Sequence, residues 1–373
     1  MNSQPFGFDL ITRQVRARAG TFHTPHGDIG TPVFAPVGTQ ATVKAVTPAQ
    51  LTEIGASLVL ANTYHLYLRP GADLVAALGG LHEFMAWNGP ILTDSGGYQV
   101  FSLAKIRKID DAGVTFKSSI DGSTHRFTPS SSIQVQEKLG ADIIMAFDEC
   151  TYPLDREGAE KAMYRTHAWA EECLKVKTRP DQALFGIVQG GAFPDLRTKS
   201  SEFISSLPLP GFAIGGLSVG ESKSQMHAML EVVDRILPEN KPRYLMGVGS
   251  PEDILYAIAR GVDIFDCVLP TRLARHQAAF TPAGRINLVN ATYFDNPKPI
   301  DEACGCYTCQ NFSQAYLRHL IMAKEMLAAT LVSIHNLYFL LELTRKSRQA
   351  ILTGVFSNFA GSFLEKYKVR RDP

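Results

Sequence analysis

The chain has 373 residues, of which 45% are hydrophobic and 20% charged, as is typical of a globular protein with a large buried core. This length suits one large barrel or two ordinary domains. No segment reaches the ~20 uninterrupted apolar residues of a membrane span, and residues 1–5 lack the features of a signal peptide. Three of the six cysteines fall within residues 304–309, which favours a metal site in a reducing, cytoplasmic environment over disulfides.

The formal net charge is +1, but the charge is unevenly distributed. From residue 304 to the end there are nine Lys/Arg and four Asp/Glu, whereas the rest of the chain is slightly acidic. A localised phosphate-binding face would produce this asymmetry, and so would a solvated charged tail. Charge alone leaves both interpretations open.

Eight short apolar runs, each followed by a polar or Gly-rich tip, predict buried strands. They are Pro32–Val37, Ser57–Asn62, Pro90–Thr93, Asp142–Phe147, Ala183–Val188, Gly211–Ile214, Arg243–Met246 and Val262–Val268. Helical patterns with capping signals lie between them, at Ala49–Ile54, Ile133–Leu139, the run from Ser222 to Ile236, and Glu252–Arg260. The alternation favours an α/β protein of the (β/α)₈ TIM-barrel class, with a doubly wound open sheet as the alternative.

Two segments depart from a plain barrel. Val114–Phe127 alternates around the turn signal Asp121-Gly122, which predicts a β-hairpin insertion after strand 3. Residues 284–345 carry the cysteine cluster and a long helical pattern, which together predict an inserted zinc-binding subdomain near the C terminus. The catalytic barrel would then comprise residues 1–283 and 346–373, closed by a helix near Gln349–Tyr367.

The cysteine cluster has the spacing of a metal site. Cys304, Cys306 and Cys309 place three thiolates within six residues, and Gly305 permits the tight turn that this requires. A fourth ligand would complete a tetrahedral zinc site, with His335 on the following helix as the leading candidate and His319 as its rival. Four protein ligands make such a site structural, so catalysis is expected elsewhere.

In a barrel enzyme the chemistry lies at the C-terminal ends of the strands. The predicted strand ends carry Asp94, Asp148 and Asp266, together with Gln189 and several glycines. A single aspartate at such a position usually caps a helix, but three at separate strand ends favour a shared site. Converging carboxylates suit cleavage of a glycosidic bond, because one can attack the anomeric carbon while another handles the proton of the leaving group.

Two kinds of substrate fit this chemistry: a sugar chain, or the N-glycosidic bond of a nucleoside. Enzymes that bind long sugar chains usually have an aromatic-lined cleft, whereas this sequence has only two tryptophans. Arg272, Arg275 and His276 follow closely after Asp266 and, with the basic C-terminal region, favour a phosphate-bearing substrate. The nucleoside interpretation is therefore preferred, with a TIM-barrel glycoside hydrolase as the remote alternative.

Several motifs at the predicted strand ends match one known family. They are Thr93–Phe101, Phe147–Cys150, Gly186–Gly191, Gly215–Glu221, Tyr244–Gly249 and Asp263–Cys267. In these motifs the chain resembles the queuine tRNA-ribosyltransferases, also called tRNA-guanine transglycosylases, of the bacterial type. The spacing of Cys304, Cys306, Cys309 and His335 is likewise the zinc pattern of this family. The resemblance extends from about residue 8 to about residue 367, with the motifs in order.

The resemblance implies a pentosyltransferase of queuosine biosynthesis. It would exchange guanine at the wobble position of GUN-anticodon tRNAs for a 7-deazaguanine base, without ATP or a redox cofactor. Asp266 matches the nucleophile that forms a covalent intermediate with ribose, and Asp94 matches the general acid/base. The implied base-binding residues are Asp148, Gln189, Gly216, Leu217, Ser95, Tyr98, Met246, Cys150 and Val219. The implied tRNA contacts are Thr271, Arg272 and Arg275.

The resemblance also implies one structural zinc ion per subunit and a homodimer that packs through the zinc region. Archaeal relatives act elsewhere on tRNA and carry extra C-terminal domains, so the chain's end at Pro373 favours the anticodon target. Eukaryotic accessory subunits share the fold without catalysis, but the three aspartates are all present here. Val219, where eukaryotic relatives carry glycine, and Cys150 favour the small base preQ1, with a queuine-preferring enzyme as the alternative.

Overall fold

The computed structural model describes residues 6–102 and 107–367, and a closed barrel of eight parallel strands lies at its centre. With all strands numbered in chain order, the barrel comprises β4 (Val33–Gly38), β5 (Val59–Ala61), β6 (Ile91–Thr93), β10 (Ile143–Met145), β11 (Ala183–Val188), β12 (Gly211–Ile214), β13 (Arg243–Leu245) and β14 (Ile264–Cys267). The strands pair in this order, and β14 pairs with β4. The eight predicted strands are confirmed, and the open-sheet alternative is wrong.

Alternate residues of each strand face the two sides of the barrel wall. Val33, Ala35 and Val37 of β4 pack in the barrel interior, whereas Phe34 packs in the layer between strands and helices. Both sides are buried, which explains why the strands appear in the sequence as continuous apolar runs.

Helices cover the outside of the barrel, and four of them match the helical patterns of the sequence. Thr47, Thr128, Ser222 and Ser250 cap these four by accepting a hydrogen bond from a backbone N–H three residues later. The helices through the barrel are α1 (Pro48–Glu53), α2 (Thr63–Leu68), α3 (Ala72–Ala77), α4 (Gly80–Met85), α5 (Gly97–Ser102), α6 (Pro129–Leu139), α7 (Arg156–Val176), α8 (Pro194–Ser206), α9 (Lys223–Asp234), α10 (Pro251–Ile258) and α11 (Leu269–Arg275).

An antiparallel sheet of β1 (Phe8–Gln14), β2 (Ala17–Thr24) and β3 (Gly27–Thr31) covers the N-terminal end of the barrel, and the sequence analysis did not predict it. Phe22 packs edge-on against Phe185 of the barrel interior, with ring centroids 5.6 Å apart. Arg18 forms a buried bidentate ion pair with Asp263, at 2.9 and 2.7 Å. Because this end is closed by paired charges and aromatic rings, a ligand cavity is expected at the opposite end.

A second antiparallel sheet, β7 (Arg107–Asp110), β8 (Gly113–Lys117) and β9 (Thr124–Phe127), is inserted between β6 and β10. The predicted hairpin after strand 3 is confirmed as β8–β9, whereas β7 was not predicted. The ring of Phe127 lies 6.1 Å from that of Phe147, just beyond β10. It also lies 3.0 Å from the position that a Cβ on Gly96 would occupy, so the insertion supports the loop after β6.

The cysteine-bearing segment follows the eighth barrel strand. It contains β15 (Ala278–Thr281), β16 (Gly284–Asn287), α12 (Tyr307–Asn311), α13 (Gln314–Met322) and α14 (Met326–Leu352), after which comes α15 (Phe356–Lys366). α14 packs against α12 and α13 and also against α11 and β4. α14 is therefore the helix that packs against the barrel after its last strand, a position for which the sequence predicted a helix near Gln349–Tyr367. α14 runs through residues 345 and 346, between which the sequence predicted a domain boundary. That boundary stays a prediction.

Among the helices of the described residues, α14 alone is long and apolar enough to cross a membrane. In its most apolar stretch, 61% of the residues are buried inside the protein. Its apolar residues thus pack against the barrel and the cysteine segment, as in a core helix.

Candidate active site

The C-terminal ends of the barrel strands surround one cavity of ≈ 620 Å³. Most residues predicted for the site line it: Asp94, Ser95, Tyr98, Asp148, Cys150, Gln189, Gly216, Leu217, Val219, Met246, Asp266 and Arg272. Thr271 and Arg275 lie outside the lining, on α11. The structure therefore brings the three predicted aspartates together from three different strands.

Asp266 lies in β14 and is held through one oxygen. Its Oδ1 accepts hydrogen bonds from the Tyr244 hydroxyl at 2.6 Å and from the Gly247 N–H at 2.8 Å. Within residues 6–102 and 107–367, no donor bonds to its Oδ2. Burial raises the pKa of Asp266 above its ordinary value, while the two hydrogen bonds oppose that rise. The side chain is thus fixed in position with one oxygen left for a ligand.

Asp94 follows β6 and accepts hydrogen bonds from two residues that follow β5 and from the Gln99 side chain on α5. Its Oδ1 accepts from the Thr63 N–H at 2.8 Å, and its Oδ2 accepts from the Asn62 amide. Burial raises the pKa of Asp94 to about 7, and the negative charge of Asp266 adds to the rise. A carboxyl group with this pKa can both donate and accept a proton near neutral pH.

Asp148 follows β10 and binds two neighbouring side chains. The Ser95 hydroxyl donates to its Oδ1 at 2.5 Å, and the Gln189 amide donates to its Oδ2 at 2.7 Å. Burial raises the pKa of Asp148, and these two donors lower it. Gln189 is itself packed against Gly216, because a Cβ there would lie 2.3 Å from the Gln189 Oε1. Gly216 also has φ +62°, a backbone conformation that favours glycine.

The loop after β12 presents backbone groups to the cavity. The N–H groups of Ser218 and Val219 both donate to the Glu221 carboxylate, the second at 3.1 Å. The C=O and N–H of a trans peptide point in opposite directions. Holding the Ser218 N–H towards Glu221 therefore turns the Leu217 carbonyl to the other side of the loop.

Arg197 also holds the loop after β12 through hydrogen bonds, and the sequence did not identify this residue as part of the site. It lies on α8, is 0% exposed, and donates to backbone carbonyls around the ends of β11 and β12. Its acceptors are Val188 at 3.0 Å, Gly191 at 2.8 Å, Gly215 at 2.8 Å and Gly216 at 3.2 Å.

Tyr98 and Met246 lie in the cavity lining, on α5 and just beyond β13. Tyr98 is 51% exposed, and a flat ligand could pack against it and against Met246. α11 begins three residues after Asp266 and presents Arg272 and Arg275 to solvent. Thr271 is buried, and its hydroxyl bonds to the Val268 carbonyl at 3.3 Å.

The predicted metal ligands form a buried cluster. The Nδ1 of His335 lies 3.7, 3.6 and 3.3 Å from the sulfurs of Cys304, Cys306 and Cys309. A tetrahedral zinc site with usual bond lengths would give N···S distances of ~3.6 Å. The Nε2 of His335 lies 2.7 Å from the Phe280 carbonyl, so Nε2 carries the proton and Nδ1 faces the sulfurs with its lone pair. His319 is exposed on α13, outside the cluster.

A second group of possible ligands, His26, His82 and Asp142, lies near the opposite end of the barrel. The two imidazole rings are stacked, with centroids 3.6 Å apart and an interplanar angle of 17°. Metal bonds lie in the plane of an imidazole ring, so two stacked rings cannot both direct a nitrogen at one ion. Instead both rings hydrogen-bond or pair with the buried Asp142 carboxylate, at 2.8 and 3.3 Å.

Several residues of the site were missed by the sequence analysis: Asn62, Thr63, Arg197, Glu221 and Tyr244. Asn62 ends a predicted strand, so the rule that identified Asp94 would also have identified Asn62. Tyr244 lies inside a predicted strand, and a polar hydroxyl in an apolar run is a signal for a buried partner. Arg197 lies on a helix, where the sequence pattern shows no reason to expect contact with a strand end.

Comparison with known proteins agrees with this geometry. The family model for queuine tRNA-ribosyltransferase matches residues 13–369. The chain is similar to the queuine tRNA-ribosyltransferase of Herpetosiphon aurantiacus, with 59% identity over 97% of this chain and 93% of the relative. It is also similar to the enzymes of that name from Synechococcus elongatus and Thermus thermophilus, each with 54% identity over 99% of this chain and 96% of the relative.

The pKa of Asp94 predicts a pH dependence of stability. Because its pKa is raised from 3.8 to about 7, proton binding favours the folded state fully below pH 3.8. This contribution disappears as the pH rises through about 7. From pH 5 to pH 8 it should decrease by about 2–3 kcal/mol. We expect Asp94→Asn to lose less stability over this interval than the wild type, as measured by urea unfolding at both pH values.

Comparing each protein with itself at two pH values removes the local cost of the substitution. Asp148 and Asp266, whose pKa values are also raised, remain in the variant and account for a residual slope. Equal slopes for the variant and the wild type would contradict the raised pKa of Asp94.

Proposed function

We propose a function for this chain, which belongs to the queuine tRNA-ribosyltransferase family. The protein exchanges guanine at the wobble position of GUN-anticodon tRNAs for a 7-deazaguanine base, and preQ1 is the preferred incoming base. The observation that carries this proposal is the set of three buried aspartates around one cavity, each held by different donors. Their unequal environments suit three different roles.

Asp266 is the nucleophile. Oδ1 is held by Tyr244 and Gly247, and Oδ2 is left to attack C1′ of the ribose. The bond between C1′ and the guanine nitrogen breaks as the ester bond to Asp266 forms. The incoming base then displaces Asp266, and two displacements at one carbon restore the original configuration.

Asp94 transfers the protons. In the first step the departing guanine takes up a proton, and in the second step the incoming base loses one. A carboxyl group with a pKa of about 7 can perform both tasks near neutral pH. The hydrogen bonds from Asn62 and Thr63 hold it in place during the exchange.

The remaining lining residues recognise the base. Asp148 accepts from the ring N–H and the amino group on the pyrimidine edge of guanine, a pair of donors that adenine does not offer. Gln189 and the Gly216 N–H donate to the base carbonyl, and the Leu217 carbonyl accepts from the aminomethyl group of preQ1. Tyr98 and Met246 pack on the two faces of the ring. Ser95 orients Asp148 through its hydroxyl.

The tRNA lies across α11. Arg272 and Arg275 bind backbone phosphates close to Asp266, whereas the buried Thr271, predicted as a further tRNA contact, supports α11 through its bond to the Val268 carbonyl. The target guanine leaves its stack and enters the cavity, because the lining aspartates are buried. The protein works in the cytoplasm as a homodimer that packs through the cysteine segment.

The Cys304, Cys306, Cys309 and His335 cluster holds zinc. The donor set, its burial and the N···S distances fit a tetrahedral structural site. Zinc bound there links the 304–309 loop to α14 and contributes to folding. It supplies no step of the exchange reaction, because all four positions are filled by the protein.

The central test is the covalent intermediate. Asp266→Asn should abolish the denaturant-resistant adduct with an unmodified GUN-anticodon tRNA, because a carboxamide is a far weaker nucleophile. Incorporation of labelled guanine at the wobble position should fall by at least about a thousandfold. The adduct is measured on denaturing gels and the incorporation by the label retained in tRNA.

Asp253→Asn is the matched control, because Asp253 is a buried carboxylate that lines the same cavity and has no role in the proposed reaction. This variant should keep the adduct. An adduct in Asp266→Asn would assign the nucleophile to another residue. Absence of incorporation by the wild type would contradict the proposed exchange as a whole.

Loss of the metal should reduce stability. Cys306→Ala removes one ligand, so we expect less than one equivalent of zinc and a lower melting temperature, because metal-binding energy in such a site is folding energy. Cys173→Ala is the control, since Cys173 is a buried thiol outside the cluster. The zinc content is measured by atomic absorption and the melting temperature by calorimetry. A full equivalent of zinc in Cys306→Ala would refute the assignment.

The preference for preQ1 depends on the half-buried Val219 beyond Leu217. Queuine carries a cyclopentenediol on its aminomethyl group, and the branched Val219 side chain narrows the space for it. We expect a preference of about ten- to a hundredfold for preQ1 in competition for one tRNA. Val219→Gly should reduce this preference, and Val219→Ala should give an intermediate value. Equal or better use of queuine by the wild type would exclude the steric argument.

A further inference from the structure

Arg197 is a buried cation whose hydrogen-bond partners are neutral. Its guanidinium is 0% exposed and donates to backbone carbonyls of Val188, Gly191, Gly215 and Gly216. In the part of the chain that the structure describes, no carboxylate forms an ion pair with it. Burial lowers the pKa of Arg197 to about 10, so the side chain stays charged at neutral pH.

A neutral side chain would avoid the cost of burying this charge. Arg243 shows the usual arrangement, because its guanidinium pairs with the Asp234 carboxylate as well as with the Leu237 carbonyl. At Arg197 every hydrogen bond goes to a carbonyl dipole, and two of these carbonyls belong to the cavity loop; the Glu221 carboxylate attracts the charge without forming an ion pair. The charge is therefore placed where it can act on that loop.

The Gly215–Gly216 peptide lies between Arg197 and the cavity. Arg197 Nη1 donates to the Gly215 carbonyl at 2.8 Å, and the peptide is trans. Its N–H, which belongs to Gly216, must point away from the guanidinium. No acceptor for this N–H occurs among the described residues, and Gly215 and Gly216 both line the cavity.

A hydrogen bond from a cation to the carbonyl of a peptide polarises that peptide and strengthens its N–H as a donor. A second bond, from Nη2 to the Gly216 carbonyl at 3.2 Å, resists rotation of the next peptide. The loop therefore presents a fixed donor at this point of the cavity. It cannot turn to present an acceptor without breaking bonds to a buried charge.

We propose that Arg197 is a positioning residue that sets the polarity of the Gly215–Gly216 peptide and thereby selects a carbonyl oxygen on the bound base. This inference rests on the proposed function, because it concerns the base that enters the same cavity. A base with an amino group at this position would place N–H against N–H and be rejected. Arg197 thus acts on specificity through the Gly216 N–H, without touching the base.

The test compares guanine with 6-thioguanine, which keeps the pyrimidine N–H and amino group but replaces the carbonyl oxygen with sulfur, a weak acceptor. The affinity of each free base for the intact protein is measured by calorimetry. The wild type should prefer guanine by about tenfold or more. In Arg197→Lys, guanine should lose about ten- to a hundredfold in affinity, while 6-thioguanine loses less than about threefold.

Arg243→Lys is the matched control, because Arg243 is an equally buried arginine at the opposite end of the barrel. It should lower the melting temperature and leave the guanine to 6-thioguanine ratio unchanged. Equal weakening of both bases in Arg197→Lys would reduce Arg197 to a structural residue and overturn the proposal.

The wild type alone provides a second test that does not depend on the folding of a variant. A guanine to 6-thioguanine ratio near one would show that the Gly216 N–H is not a strong donor, and would overturn the proposal. If the wild type incorporates guanine into tRNA and that ratio is near one, the role of Arg197 fails and the proposed function stands. If the wild type neither binds nor incorporates guanine, the proposed function fails and this inference fails with it.

Discussion

The active site depends on keeping three carboxylates in one buried cavity. Burial raises the pKa of each, and the negative charges of Asp148 and Asp266 raise that of Asp94 further. Each carboxylate is stabilised by donors from a neighbouring strand end: Asn62 and Thr63 for Asp94, Gln189 for Asp148, and Tyr244 and Gly247 for Asp266. Such bonds between neighbouring strand ends follow from barrel closure, because closure brings the end of every strand beside two others.

The two ends of the barrel handle buried charge in different ways. At the N-terminal end the Arg18–Asp263 pair satisfies both partners, and the stacked His26 and His82 share the Asp142 carboxylate. Carboxylates paired in this way have few oxygens left for a ligand to bind. At the C-terminal end both donors to Asp266 bind its Oδ1, so its Oδ2 stays free among the described residues. The C-terminal end of the barrel, where a carboxylate oxygen lacks a donor among the described residues, is therefore the end that can bind a ligand.

The sequence predicted the barrel because its eight strands are short, apolar and bounded by polar tips, a pattern with few competing interpretations. The same tips identified Asp94, Asp148 and Asp266 as neighbours. The sequence could not predict β1–β3, because these strands cover the barrel end with few long apolar runs. Arg197 was also beyond prediction, since its role arises from a helix packing beneath two strand ends. Contacts of that kind depend on tertiary packing, which local periodicity does not encode.

The cysteine cluster lies outside the cavity but is connected to it through α14. Asn336, next to the ligand His335, bonds to the Pro270 and Ala278 carbonyls, both at 3.0 Å, and to the Phe280 N–H at 2.9 Å. These contacts hold the start of α11, which begins just after Asp266, and the strand β15 that follows it. A metal held by His335 would fix α14 and, through Asn336, the helix that carries Arg272. A structural ion can therefore determine where Arg272 lies relative to Asp266 without entering the cavity.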